Sequence, residues 1–239
     1  MTAAYLVGGV RTPVGRYGGG LAEVRADDLA ALVVGEAVTR AGVPAERIDD
    51  VILGAANQAG DDNRNVARMA VLLAGFPDSV PGLTVNRLCA SGLQAIASAA
   101  QGIRSGDISL AVAGGAESMT RAPWVTAKPA AAWAKPGEVF DTALGWRLVN
   151  PRMKEVDGGE ATLTLGECTE KLARLHGITR EAADAYALRS QTLASQAWAD
   201  GYFDADIVPV STRGGEVTRD ETVRDGTTPE SLGRLKPVF

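Results

Sequence analysis

Val85-Asn86-Arg87-Leu88-Cys89-Ala90-Ser91-Gly92-Leu93-Gln94-Ala95-Ile96 reads as the junction of a strand and a helix. Ahead of it, Gly82-Leu83-Thr84-Val85 is short, apolar and bounded by Pro81, the pattern of a buried strand. Behind it, over residues 90–105, Leu93, Ile96, Ala97, Ala100 and Ile103 recur at helical spacing, and Gly106 supplies a stop. Cys89 therefore falls where a strand turns into a helix. A helix start offers unpaired N–H groups and the positive end of a dipole, so a thiol there gives up its proton more readily. The same N–H groups can hold the oxyanion of an attacked thioester. The competing reading is a small buried apolar cysteine, which is what most free cysteines are. Position alone leaves both open.

Outward from this junction the chain repeats strand and helix. Residues 4–10 read as a first strand and lead into a loop, residues 11–20, in which an arginine precedes several glycines. Such a loop either packs as a tight turn or cradles a phosphate. A helix over residues 26–41 carries Leu29, Leu32, Val33, Glu36 and Ala37 on one face, has acids in its first turn, and is closed by Gly42. Residues 51–55 form a strand apolar on both faces, as in a sheet covered on two sides. A helix over residues 65–74 closed by Gly75, the strand before Cys89, the Cys89 helix and a strand at 110–115 complete a β-α-β-α-β-α-β order. That order predicts an α/β fold: a mostly parallel sheet covered by helices, with ligands gathering at the carboxyl ends of the strands. Cys89 sits at such an end.

The character changes after Glu117. Trp124, Trp133 and Trp146 lie among prolines, lysines and alanines with no sustained period to about residue 157. A helix over residues 165–175 follows, then a longer one over 180–199 with Thr179 as cap and Glu181 in its first turn. Ala183, Tyr186, Ala187, Ser190, Leu193, Ala194 and Ala197 make its stripe, and Gly201 ends it. Residues 207–210 and 216–218 read as short strands across the Gly214-Gly215 turn.

With 239 residues, 46% of them hydrophobic, the chain can bury a substantial core. A net charge of −5 without any basic block argues against nucleic acid as a partner, although one local arginine can still bind a phosphorylated ligand. No run of 18 or more apolar residues offers a membrane span, and the first eleven residues read as a strand, not as a signal peptide. Two cysteines make no disulfide framework. The expectation is a soluble cytoplasmic protein.

Asn86-Arg-Leu-Cys-Ala-Ser-Gly-Leu-Gln-Ala95 resembles the nucleophile motif of the thiolases, which make or cleave 3-ketoacyl-CoA. Arg11-Thr-Pro-Val-Gly-Arg-Tyr-Gly-Gly19 and Ala113-Gly-Gly-Ala-Glu-Ser-Met-Thr-Arg-Ala-Pro123 resemble the same family, in the same order. The resemblance implies a thiolase-like N-terminal α/β domain over residues 1–117, carrying Cys89 as the acyl-accepting nucleophile, and an inserted loop domain over 118–239 covering the CoA site. It implies acyl-CoA and coenzyme A as substrates, no permanently bound cofactor, no metal, and a homodimer or homotetramer. Residues 220–239 resemble the stretch that grips the adenine nucleotide, so that Arg224 would stack on the base while Ser231 and Phe239 line the groove. Read without the resemblance, Arg224 is a solvated arginine paired with Glu221 or Asp225. Leu165-Gly166 matches a segment that packs on pantetheine, with Thr164 where many thiolases have a histidine. Residues 141–150 are similar to wording in β-ketoadipyl-CoA and related thiolases of fatty acid or aromatic degradation.

The motifs that supply the family's catalytic histidine, second cysteine and Asn-Glu-Ala-Phe segment belong to its second half and do not occur in residues 1–239. His176 reads as a helix-end histidine favoured by the dipole, and Cys168 as a packed residue. Two other functions fit the residues: a CoA-binding or partner-binding half without turnover, and a Cys–His hydrolase using Cys89 and His176. A half standing by itself is also expected to expose apolar faces and to associate.

Overall fold

In the computed structural model, which describes residues 3–239, strand β1 (Asp50–Gly54) is the middle of a three-stranded parallel sheet. It pairs with β2 (Gly82–Val85) on one side, Ile52 opposite Leu83, and with β3 (Ala111–Gly115) on the other, Ile52 opposite Ala113. Residues of β1 alternate between two packed layers. Val51 and Leu53 face α1 (Ala26–Ala41) and α2 (Val66–Leu73), whose Ala30, Val34, Val38, Val66, Ala67, Ala70 and Val71 form the main core. Ile52 faces α3 (Ser91–Ser105), where Ala95 and Ala99 are buried against it. Helices on both faces of a parallel sheet confirm the α/β fold.

The helix ends obey local chemistry. Gly42 and Gly106 close α1 and α3 in the left-handed conformation, and the Asn65 side chain accepts the Arg68 amide to start α2. The face of α1 differs from expectation. Ala26, Asp27, Ala30, Ala31, Val34 and Val38 are the buried residues, while Leu32 is exposed. The small residues take the inward stripe where α1 packs on α2, and a Cβ on Gly35 would make an ordinary contact with Ala74 just past the end of α2. The strand expected over residues 4–10 joins no ladder either: Tyr5, Leu6 and Val7 are exposed, and pairing begins only with an isolated bridge from Arg11 to Ile207. An apolar run becomes a strand only where a sheet edge is there to receive its hydrogen bonds. The β2 strand, expected to be buried, lies at the sheet edge with Leu83 exposed.

The chain divides into two units. The first holds, of the described residues, 3–124, 141–143 and 205–221, and includes the hairpin of β6 (Val210–Thr212) and β7 (Gly215–Val217). The second holds residues 125–140, 144–204 and 222–239. The chain crosses between them along a two-stranded ribbon of β4 (Trp124–Thr126) and β5 (Val139–Asp141). The second unit contains α4 (Leu165–His176), α5 (Arg180–Ala199) and the short α6 (Pro229–Gly233). Among the described residues, no helix is long and apolar enough to cross a membrane.

Candidate active site

Cys89 lies one residue ahead of the α3 cap, Ala90, beyond the carboxyl end of β2, and it is exposed. The buried apolar reading of Cys89 is therefore set aside. Ala90 has no side chain able to cap the helix, and the first amide to return to its carbonyl is that of Gln94, at 2.8 Å. Among the described residues no side chain caps this helix start, so the amides of Gly92 and Leu93 in its first turn have no capping partner. The sheet lets α3 sit this close because residue 54 is glycine: a Cβ there would stand 2.5 Å from the Gly92 nitrogen. Such an approach is open to glycine alone.

The loop that carries the sulfur is held by its own side chains. Leu88 adopts φ +49°, a left-handed conformation that costs a leucine about 1–3 kcal/mol. Asn86 Oδ1 accepts the Leu88 amide at 2.9 Å, and Ser91 Oγ donates to the Leu88 carbonyl at 2.6 Å while accepting the Arg87 amide at 2.8 Å. Ser91 is 4% exposed, so these bonds compete little with water. Asn86 also donates through Nδ2 to the Ala56 carbonyl at 2.8 Å, and the Ala56 amide donates to Glu117 Oε2 at 2.6 Å. Residues just after β1, β2 and β3 are in this way tied to one another around the Cys89 loop. None of these positioning roles was read from the sequence. The Asn86 contact had a signal, since asparagine commonly bonds the amide two residues on; the contacts to Ala56 and Glu117 had none.

Farther along the same ends, Asp61 is held by charge. Arg25 makes two 2.9 Å hydrogen bonds to Asp27 and an ion pair to Asp61, and Asp61 also pairs with Arg121. Burial by itself would push the Asp27 carboxyl up, but the hydrogen bonds and charge of Arg25 outweigh it and hold Asp27 below the usual carboxylate range. The Gly-rich loop after Arg11 is not an open phosphate cradle. Arg11 is bound by Asp220 at 2.7 and 3.1 Å, and the Arg16 and Gly20 amides both donate to Glu221 at 3.0 Å. The carboxylates of this chain already fill the place an anion would take.

The residues expected to bind CoA lie in the second unit. Leu165 opens α4 behind a capping box in which Thr164 and Glu167 satisfy each other's amides, so Thr164 has a structural task here. Phe239 lies over the backbone of Gly166, leaving no room for a side chain there. Arg224 is fixed by its backbone, whose amide donates to Gln191 of α5 at 2.8 Å, and its side chain is exposed. Ser231 Oγ serves the capping box of α6, accepting the Thr228 amide at 2.9 Å. Leu165, Gly166 and Phe239 are brought together, while Arg224 and Ser231 occupy the segments that Gln191 and Arg180 anchor to α5. His176 ends α4 before the left-handed Gly177. Cys168, expected to be packed, is exposed, because α4 buries no residue. Among the described residues no cluster of histidine, cysteine and carboxylate side chains has the make-up of a metal site.

Residues 4–239 match the model of the thiolase N-terminal domain. The chain is 52% identical to a β-ketoadipyl-CoA thiolase of Pseudomonas knackmussii over 98% of its own length and 59% of the relative's. It is 51% identical to the 3-oxoadipyl-CoA/3-oxo-5,6-dehydrosuberyl-CoA thiolase of Escherichia coli over 100% of its length and 60% of the relative's. An acetyl-CoA acetyltransferase from Bacillus anthracis shares the fold with a TM-score of 0.84 and 42% identity, covering 96% of this chain and 57% of that one. The chain thus spans somewhat more than half the length of the relatives it matches.

Proposed function

The chain belongs to the thiolase family through its N-terminal domain, and from that premise we propose that it carries the acyl-accepting half of an acyltransferase that forms or cleaves 3-ketoacyl-CoA. Cys89 is the nucleophile. Its thiolate attacks the thioester carbonyl of an acyl-CoA and a new C–S bond forms. The old C–S bond breaks, and the departing CoA thiolate takes up the proton that the Cys89 thiol gave up. The amides of Gly92 and Leu93 at the start of α3 are the donors this chain offers to the transient oxyanion. The observation that carries the reading is the exposed sulfur of Cys89 at an uncapped helix start, beyond the end of a parallel strand.

Arg224, Ser231, Phe239 and Leu165 are assigned to the CoA side of the reaction, Arg224 through the flat face of its guanidinium against the adenine. Coenzyme A and its thioesters come and go as substrates. Relatives named for β-ketoadipyl-CoA and 3-oxoadipyl-CoA support a 3-oxoacyl-CoA of aromatic degradation as the substrate class. A homo-oligomer in the cytoplasm is part of the same reading.

Acetyl-CoA tests it directly. After incubation and proteolysis, the peptide holding Cys89 gains one acetyl group, the peptide holding Cys168 gains none, and Cys89→Ala abolishes the adduct. Acetylation confined to Cys168 overturns the assignment. Arg224→Ala raises the acetyl-CoA concentration needed for half-maximal labelling about fivefold, the loss expected for one stacking contact. Assaying ketoacyl-CoA cleavage by the 239-residue chain, alone and beside a chain carrying the family's remaining motifs, separates turnover from CoA binding without turnover.

A further inference from the structure

We infer that Asn86 is a positioning residue for the nucleophile, and that through Ala56 it is the middle link of a latch running from Glu117 to Cys89. The inference rests on the proposal that Cys89 is the nucleophile, and goes beyond it by naming what aims the sulfur. The latch has four hydrogen bonds. The Glu117 carboxylate, just after β3, holds the Ala56 amide, just after β1. The Ala56 carbonyl accepts from Asn86 Nδ2, just after β2. Asn86 Oδ1 accepts the Leu88 amide, and the Leu88 carbonyl accepts from the buried Ser91 hydroxyl in the first turn of α3. Leu88 and its left-handed φ lie between these two anchors, immediately before Cys89.

Geometry explains why both anchors are needed. A leucine released from them relaxes toward negative φ, and that rotation swings the next residue away from the helix start. Ser91 fixes the carbonyl side of Leu88 to α3, and Asn86 fixes its amide side to the sheet. The amide side is the weaker one, because Asn86 is exposed and its bonds compete with water. Asn86 is therefore the link whose loss changes the aim of Cys89 while leaving the packed sheet intact. Glu117 acts two bonds away by keeping the Ala56 peptide turned with its carbonyl toward Asn86.

Alkylation by iodoacetamide reads the latch, with Cys168 in the second unit as an internal control. In the wild-type chain Cys89 is alkylated faster than Cys168. Asn86→Ala lowers the Cys89-to-Cys168 rate ratio about fivefold or more, and Glu117→Ala lowers it about twofold to threefold, with Cys168 unaffected in both. Asn86 and Glu117 are exposed, so neither substitution leaves a cavity, and circular dichroism confirms the fold. Placing Leu88→Gly in the Asn86→Ala background recovers at least half of the lost ratio, because glycine holds a positive φ without an anchor. A merely structural role for Asn86 gives no such recovery. An unchanged ratio in Asn86→Ala or Glu117→Ala, or a double variant as slow as Asn86→Ala, overturns the latch. A wild-type chain in which Cys89 reacts no faster than Cys168 overturns the nucleophile assignment itself, a separate outcome.

Discussion

Asp50, at the amino end of β1, keeps a carboxyl oxygen, Oδ1, buried with no partner among the described residues. Desolvation pushes its pKa up, only partly offset by a hydrogen bond from the Val51 amide. The folded state therefore holds the Asp50 proton to higher pH than the unfolded chain does. Its contribution to stability is complete below the unfolded value, about 3.9, and is lost as pH rises through the folded one. Asp27 acts in the opposite sense: its lowered pKa gives stability above about pH 4, lost as pH falls through the folded value. Asp50→Asn should then raise Tm at pH 7 by about 2–4 °C, the shift for ~1 kcal/mol in a chain of this size, and leave Tm unchanged at pH 3. A thermal melt showing the same gain at both pH values would rule out the charge as the cause. At this scale Cys89 was legible, because its neighbours spell a strand–helix junction. The bonds of Asn86 to Ala56 and of Ala56 to Glu117 were not, because they join residues 30 and 61 positions apart.

Helix ends are written locally and helix faces are not. The caps Thr179 and Gly42 fix where α5 begins and α1 ends, and the spans expected from them match Arg180–Ala199 and Ala26–Ala41. The inward stripe of α1 followed alanine and valine instead of leucine, and α3 turned Ser91, Ala95 and Ala99 to the sheet while leaving Leu93 exposed. Small residues win where backbones approach closely, and hydrophobicity alone does not show that approach. Gly54 tests this. Gly54→Ala places a methyl against the backbone of Ser91 and Gly92. It should cost about 2–3 kcal/mol by displacing the start of α3. Urea unfolding measures the loss, and a variant within 0.5 kcal/mol of wild type, roughly the noise of a neutral substitution, would show that β1 and α3 do not constrain each other.

All the buried residues among those described belong to the first unit; the second, with α4, α5 and α6, has none. Local opening should be easier where no apolar core opposes it. Hydrogen exchange should therefore find the amides of β1 and α2 protected at least tenfold longer than those in the middle of α5, a difference of about 1.4 kcal/mol or more in opening free energy. Equal protection would mean that the long helix is held by more than its own ladder. The sequence by itself determined the alternation of strands and helices, the parallel sheet, the caps and the placing of Cys89, because propensity, periodicity and capping act within a few residues. Tertiary structure alone decided that residues 4–10 stay outside the sheet, that Glu221 fills the Gly-rich loop, and that Glu117, Ala56 and Asn86 converge on the Cys89 loop. Each of these depends on which distant group arrives to satisfy a backbone donor or acceptor, and only the folded chain brings those groups together.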